Sequence, residues 1–358
     1  MDQPICAYLK MTAKLIDLYF YFCDLELPDD KIYNSSIPFQ LEGGSSLAEV
    51  EIVYTDRGAA DAPVIWICHA LTANADPAQW WPGLVGAGKL FDPADYRIIC
   101  ANILGSCYGT TGPASINPKT GLAYRADFPT VTIRDIVNAH QLLQHYLGIE
   151  KIKLCIGGSM GGQQVMEWAI MDPFLFENIA LLSCNPYHSP WGIAFNEAQR
   201  MAIEAGIDKD GNINLLGLEA ARSLAMLSYR NYITFDIAQS ETEEKIENFK
   251  VSSYQRYQGV KLSKRFDAFS YIALSKAMDS HHVGRGRGGV PHALSLIKAK
   301  TAVIGINTDV LFPLAEQKVL ADYIPNATLD KIHSDYGHDG FLLEYVAIEE
   351  VLKRRLGF

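Results

Sequence analysis

The segment Gly157-Gly158-Ser159-Met160-Gly161 places one hydroxyl among glycines, after the apolar run "KIKLCI" and before a helical pattern. G-x-S-x-G between a strand and a helix is the pattern of a strained turn that lifts a nucleophilic serine above a sheet. Residues two positions to either side must be small, because side chains there collide with strand or helix. The helix start also aims backbone N–H groups and the positive end of its dipole at the reaction centre. The other readings of such a turn are tight packing or a phosphate cradle. A P-loop is disfavoured, because no Lys-Ser/Thr pair follows the glycines.

A serine becomes a good nucleophile only beside an oriented base. In this architecture the partners follow it in the order acid, then histidine. "AVIGINTDVLFP" supplies Asp309 just past an apolar run, and "IHSDYGHDGFL" supplies His338 in a polar loop after the next one. Asp330 and Asp335 compete for the acid and His333 for the base; each reads as a solvated loop residue. His69, in "ICHALTANAD", precedes the serine. Its expected role is to shape a loop whose Leu71 backbone N–H joins that of Met160 in holding an oxyanion.

These groups need a scaffold that brings strand ends to one rim. Short apolar runs bounded by turn signals read as strands: "VIWIC" at 64–68, "RIICANI" at 97–103, "KIKLCI" at 151–156, "NIALLSC" at 178–184, "TAVIGI" at 301–306 and "TLDKI" at 328–332. Helical patterns such as "TVTIRDIVNAHQLLQHYLGI" lie between several of them. Near-continuous apolar strands alternating with helices imply a mostly parallel sheet covered on both faces. "LAEVEIVYTDRG" alternates with period two and suits an antiparallel edge strand or hairpin.

From about Tyr187 to Lys298 the rhythm changes to polar helical stretches, "FNEAQRMAIEA", "GLEAARSLAMLSYR" and "RFDAFSYIALSKAMD". The expected organisation is an α/β core at 35–186 and 299–358, a helical lid at 187–298 over one edge of the sheet, and an N-terminal extension at 1–34.

The totals limit the function. A chain of 358 residues with 49% apolar and 20% charged residues can bury a core without metal or disulfide staples. A formal net charge of −10 argues against general binding to nucleic acid. The seven cysteines include Cys68, Cys100 and Cys155 in strand-like runs, which read as buried free thiols of a reducing compartment. "LIDLYFYFCDL" is too short and too interrupted by Asp17 and Asp24 to span a bilayer, and no secretory signal is evident. A cytoplasmic protein with no metal and no membrane contact is expected. "GRGRGG" at 284–289 reads as a mobile lid connection, with contact to a cofactor phosphate or RNA as weaker readings.

From about Phe39 onward the sequence resembles the homoserine O-acetyltransferase family, acyltransferases of methionine biosynthesis with the α/β-hydrolase fold. "ICHALTANAD", "NILGSCYGTTGPASINP", "FPTVTIRDIVNAHQLL", "GGSMGGQQVMEWA", "GLEAARSLAMLSYR", "INTDVLFP" and "YGHDGFL" carry the resemblance, in the family's order. It implies a triad of Ser159, Asp309 and His338, with Leu71 and Met160 as oxyanion donors. It implies that Arg222 and Tyr229 line the tunnel and hold the amino-acid substrate, and that Asp339 receives its ammonium group. On the residues alone, Arg222 and Asp339 read as a helix-surface and a loop residue. The resemblance further implies acetyl-CoA and L-homoserine as substrates and a homodimer formed through the lid helices.

Departures from the family pattern fall at "HALTANAD", "LGSC", "GIDKDGNIN" and Phe269, the last two in the expected lid, where acyl and acceptor choice would be set. A related O-acyltransferase using serine or succinyl-CoA, an esterase with the same triad, and a non-catalytic binding protein remain as alternatives.

Overall fold

The computed structural model describes residues 30–358. The expected apolar runs form strands β5 to β10 of a set that comprises β1 (Lys31–Ser35), β2 (Phe39–Gln40), β3 (Ser46–Leu47), β4 (Val50–Arg57), β5 (Val64–Cys68), β6 (Arg97–Ala101), β7 (Ile152–Gly158), β8 (Phe176–Leu182), β9 (Lys300–Ile306) and β10 (Ala327–Ile332). Eight of them form one sheet in the order β1-β4-β6-β5-β7-β8-β9-β10, and β2 pairs with β3 in a separate ribbon. β4 runs antiparallel to β1 and to β6, whereas the pairs from β6 to β10 are parallel.

Side chains on a strand alternate between faces, so every second residue enters a different core. Ile65 and Ile67 of β5 join Trp80, Trp81 and Phe91 on one face, with Leu352 of the C-terminal helix Tyr345–Leu356. Trp66 and Cys68 join Val137 and Trp168 on the other. That second face is covered by the helices Ile133–Tyr146 and Met160–Met171. The first begins with a capping box in which Thr132 and Asp135 satisfy each other's backbone N–H groups.

The chain leaves β5 toward β6 on one side and returns to place β7 on its other side. The carboxyl ends of β5 and β7 therefore flank a point where the strand order reverses, the usual crevice of an open α/β sheet.

Two expectations need amending. The sheet starts at Lys31, inside the segment assigned to an N-terminal extension at 1–34; residues 1–29 of that extension, and the "LIDLYFYFCDL" reading, lie outside the described residues. "GRGRGG" is not a loose connection. Arg287 ion-pairs with the buried Glu167 at 2.6 Å, Arg285 pairs with Glu42 at 2.7 Å, and Arg134 joins both acids at 2.7 and 2.8 Å. Positive φ at Gly286, Gly288 and Gly289 lets the segment fold tightly enough for Arg287 to reach the buried Glu167 while the exposed Arg285 pairs with Glu42.

Between β8 and β9 stand the helices Pro190–Glu204, Leu215–Tyr229, Tyr232–Gln239, Lys250–Ser263, Ala268–Asp279 and Val290–Ser295. Cys68, Cys100, Cys155 and Cys184 are buried free thiols. Among the described residues, no helix is long and apolar enough to cross a membrane.

Candidate active site

Ser159 stands at the junction of β7 and the Met160–Met171 helix with φ 57° and ψ −127°. Holding a non-glycine residue there costs on the order of 1–3 kcal/mol, and the surroundings enforce it. A Cβ on Gly161 would overlap the carbonyl oxygen of Cys68, and one on Gly157 would lie 2.5 Å from the Gly161 carbonyl. A Cβ on Gly158 would enter the Phe341 ring, and one on Gly162 would press on the Cys184 sulfur. Each glycine of the motif thus marks a close approach. The Ser159 N–H donates to the Leu182 carbonyl at 2.9 Å, whereas its side chain does not cap the helix it starts. The hydroxyl is left for a reactant.

Asp309 follows β9. Its Oδ1 accepts from the N–H groups of Leu311 and Phe312, both at 2.9 Å, and its Oδ2 accepts from His338 Nδ1 at 2.7 Å. Three donors converge on one buried carboxylate, and the bond from Nδ1 fixes the His338 tautomer, leaving Nε2 as the acceptor edge. The imidazole is stacked on Phe312 at 5.1 Å between centroids, with Phe341 at 5.2 Å and Tyr229 at 5.8 Å. Ser159, Asp309 and His338 are 6%, 5% and 3% exposed, so all three sit in a medium where electrostatic effects are strong. Among the described residues no direct hydrogen bond joins Ser159 and His338; in sites without substrate such contacts are often long.

The loops bearing the acid and base are tied together. Thr308 Oγ1 donates to the Ser334 carbonyl at 2.7 Å and accepts from Gly337 N–H at 3.1 Å. Gly337, at φ 65°, lets the histidine loop press on the backbone of Tyr229, Arg230 and Asn231. The competing groups are elsewhere. His333 and Asp335 are exposed. Asp330 is not a solvated loop residue: it is buried in β10 and paired with Arg354 and Arg355, each at 2.8 Å, which hold its carboxyl below its ordinary range against the opposing effect of burial.

The loop after β5 is a turn in which Ala73 N–H donates to the Ala70 carbonyl at 3.0 Å, with Leu71 and Thr72 in the middle. His69 holds it from beneath. Its Nε2 accepts from Ile103 N–H at 3.1 Å, so Nδ1 carries the proton and donates to the Ala70 carbonyl at 2.8 Å. Full burial pushes this imidazole down to about 4, so it stays neutral. Gln164, one turn along the serine helix, donates to both the His69 and Met160 carbonyls at 3.1 Å and accepts from His140 at 3.0 Å. Gln164 escaped the sequence reading; its signal was its place four residues after Met160 on the same helix face.

Ser159, His338, Leu71, Arg222, Tyr229 and Asp339 all line one cavity of about 120 Å³ that opens to solvent. Met160 is fully buried beside it. As the first helical residue, Met160 has an N–H without an intrahelical acceptor. The insertion helices provide the opposite wall through Arg222, Tyr229, Gln258, Lys261, Leu262 and Arg265.

The Arg222 guanidinium lies over the Tyr229 ring at 5.3 Å, a cation–π contact that leaves its N–H fork for an anion. Burial raises the Tyr229 phenol above its ordinary range. Asp339 is not solitary: Arg230, which the sequence reading missed, ion-pairs with it at 2.7 Å. Among the described residues, no group of three His, Cys, Asp or Glu could hold a metal ion.

This fold and its strained serine define a class, and comparison with known proteins agrees: the profile of the alpha/beta hydrolase fold matches residues 63–345. Homoserine O-acetyltransferase of Cyclobacterium marinum is 49% identical over 90% of this chain and 94% of its own length. The chain belongs to the homoserine O-acetyltransferase family. Among solved structures, homoserine O-acetyltransferase of Staphylococcus aureus superposes with a TM-score of 0.79 at 29% identity, covering 92% of this chain and 95% of that one. The acetyl esterase MekB superposes with a TM-score of 0.80 at 25% identity, covering 94% and 98%.

Proposed function

We propose that this protein transfers the acetyl group of acetyl-CoA to the hydroxyl of L-homoserine through an acetyl-Ser159 intermediate. The observation that carries the reading is the Asp309–His338 pair beside a strained serine, in a cavity that also presents Arg222 and Asp339. A zwitterionic hydroxy amino acid needs a cation, an anion and a base in one site, and these residue types supply that set.

In the first half-reaction His338 Nε2 takes the proton of Ser159 as Oγ attacks the thioester carbon. The carbonyl oxygen becomes an oxyanion held by the N–H groups of Leu71 and Met160. The tetrahedral adduct collapses, the C–S bond breaks, and the imidazolium returns its proton to the departing thiolate. In the second half-reaction the acceptor hydroxyl gives its proton to His338 and attacks the acetyl carbon. Ser159 leaves and recovers a proton from the imidazolium. Asp309 keeps the imidazole in one tautomer and stabilises its charged form throughout. The insertion must keep water from the acyl-enzyme, as a lid would.

Support for dimerisation comes from the exposed apolar side chains Leu215, Leu216, Leu224, Leu227, Tyr232 and Ile233 on the insertion helices. The free, buried thiols suit a cytoplasmic setting.

The resemblance to an acetyl esterase favours one second reading, in which water discharges the acyl-enzyme. One experiment separates the two. The protein is mixed with acetyl-CoA, the acetyl adduct on Ser159 is followed by mass spectrometry, and homoserine, serine or buffer alone is added. Discharge by homoserine alone is expected. Equal discharge by buffer would make the protein a hydrolase, and absence of an adduct with any acyl donor would remove the transfer chemistry.

A further inference from the structure

Arg265 belongs to the insertion, in the turn between the Lys250–Ser263 and Ala268–Asp279 helices. Its Nη1 donates to the Thr72 carbonyl at 2.7 Å and to the Tyr108 hydroxyl at 2.5 Å, and its side chain lines the cavity. Thr72 is the residue after Leu71 in the turn that carries the oxyanion N–H. The core secures the near end of that turn through His69, which donates to the Ala70 carbonyl, and through Gln164, which donates to the His69 carbonyl. The far end is secured by Arg265, a residue 193 positions away.

Arg265 is itself firmly seated. Asp267 N–H donates to the Cys107 sulfur at 3.4 Å, and the buried Phe266 packs edge-on to Tyr108 at 5.7 Å. Asp267 then caps the next helix by accepting from Ser270 N–H at 2.7 Å. The turn is thus held to the "SCYG" loop at three points, and a charged fork extends from it to one carbonyl of the oxyanion turn. A hydrogen bond donated by a cation is stronger than a neutral one. An error of about 1 Å in a donor can cost about a hundredfold in rate.

We propose that Arg265 is a positioning residue, holding the Leu71 N–H at the oxyanion seat so that acyl transfer is fast only while the insertion is docked on the core. This rests on the acyl-transfer reading above. Oxyanions form in both half-reactions, so loss of Arg265 should slow acylation and deacylation alike and leave acceptor binding nearly untouched. A structural role alone would lower stability without that symmetry, and a substrate-binding role would raise KM at constant kcat.

The test uses the full chain. Acylation is read as the burst of p-nitrophenol from p-nitrophenyl acetate, deacylation as loss of the acetyl adduct on adding homoserine, and folding as the thermal midpoint. For Arg265→Ala both rates should fall about 10–100-fold, KM for homoserine should change less than about twofold, and millimolar guanidinium should restore part of both rates. Arg265→Lys, which keeps the charge but not the fork, should lie between the two and serves if the alanine variant does not fold. Unchanged acylation in either folded variant, loss confined to one half-reaction, or a rise in KM alone overturns the proposal. A wild-type protein that shows no burst and no adduct overturns the acyl-transfer reading instead.

Discussion

The core and the insertion hold their functional groups by different forces. Around Ser159 the work is done by backbone sterics and neutral hydrogen bonds: glycines pressed on Cys68, Phe341 and Cys184, and the His69–Gln164–His140 chain. The insertion shares the apolar cluster of the core through Tyr271, Leu274 and Val283 and adds ion pairs to it. Arg285 and Arg287 tie its returning limb to Glu42 and Glu167, Arg200 meets Asp279 at 2.5 Å, Arg230 meets Asp339, and Arg265 meets the Thr72 carbonyl in the turn after β5. Steric contacts are insensitive to salt and pH, whereas partly exposed ion pairs respond to both. Ser159 therefore rests on the less adjustable half, and Arg222 and Arg230 on the more adjustable one.

The largest effect should come from the core. Asp309→Asn keeps the shape but favours the wrong imidazole tautomer, and kcat should fall about 10⁴-fold with the fold intact; steady-state kinetics beside a circular dichroism melt checks this. A loss under tenfold would mean that the carboxylate is not orienting His338.

Next in size is the clasp. Glu167 has a side chain only 1% exposed between Arg134 and Arg287. Glu167→Gln should destabilise the protein by about 3 kcal/mol, read from the urea midpoint at unchanged m. If stability holds, charge does not secure the insertion's returning limb.

Histidine titration gives a smaller effect and compares the two regions directly. Burial pushes His69 in the core down to about 4, and in the 187–298 segment it pushes His188 to about 4 and His281 to about 3. Each is neutral when folded and binds a proton more readily when unfolded, near pH 6.5. Their contribution is therefore complete above that value and declines as pH falls toward the folded pKa. Stability should drop by about 2 kcal/mol per histidine between pH 7.5 and 5, measured by denaturant titration at each pH. A His188→Gln variant should have a shallower dependence; an unchanged slope would mean that this histidine titrates alike in the folded and unfolded states.

The smallest effect on the fold is expected from Leu216, 65% exposed on the insertion. Leu216→Lys should change monomer stability by less than about 0.5 kcal/mol yet weaken self-association in sedimentation velocity. A monomeric wild type would contradict the proposed dimer.

The same contrast explains what could be read in advance. Continuous apolar runs located the central strands, with "VIWIC" matching Val64–Cys68 residue for residue. The positions of Ser159, Asp309 and His338 at strand ends were legible because each follows an apolar run at a fixed place in the chain. Strand β1 was not, since "KIYNS" is mostly exposed at the sheet edge and carries no apolar run. The Lys250–Ser263 helix was also missed: Val251, Tyr257 and Val260 are exposed, so no clean apolar stripe marks it. Arg230 and Arg265 act through side chains whose partners are brought near only by the finished fold. Composition said nothing about "GRGRGG", because the same six letters suit a loose loop or a pair of ion-pair clamps.

The contact between Gly161 and the carbonyl at the end of β5 leaves no room for even a methyl group. Strand end and helix start are consequently locked together, and the separation of the Ser159 hydroxyl from the loop after β5 is set by that contact. If acyl transfer runs as proposed, the reacting oxygen and the N–H groups facing it share one rigid seat, whatever the outer helices do.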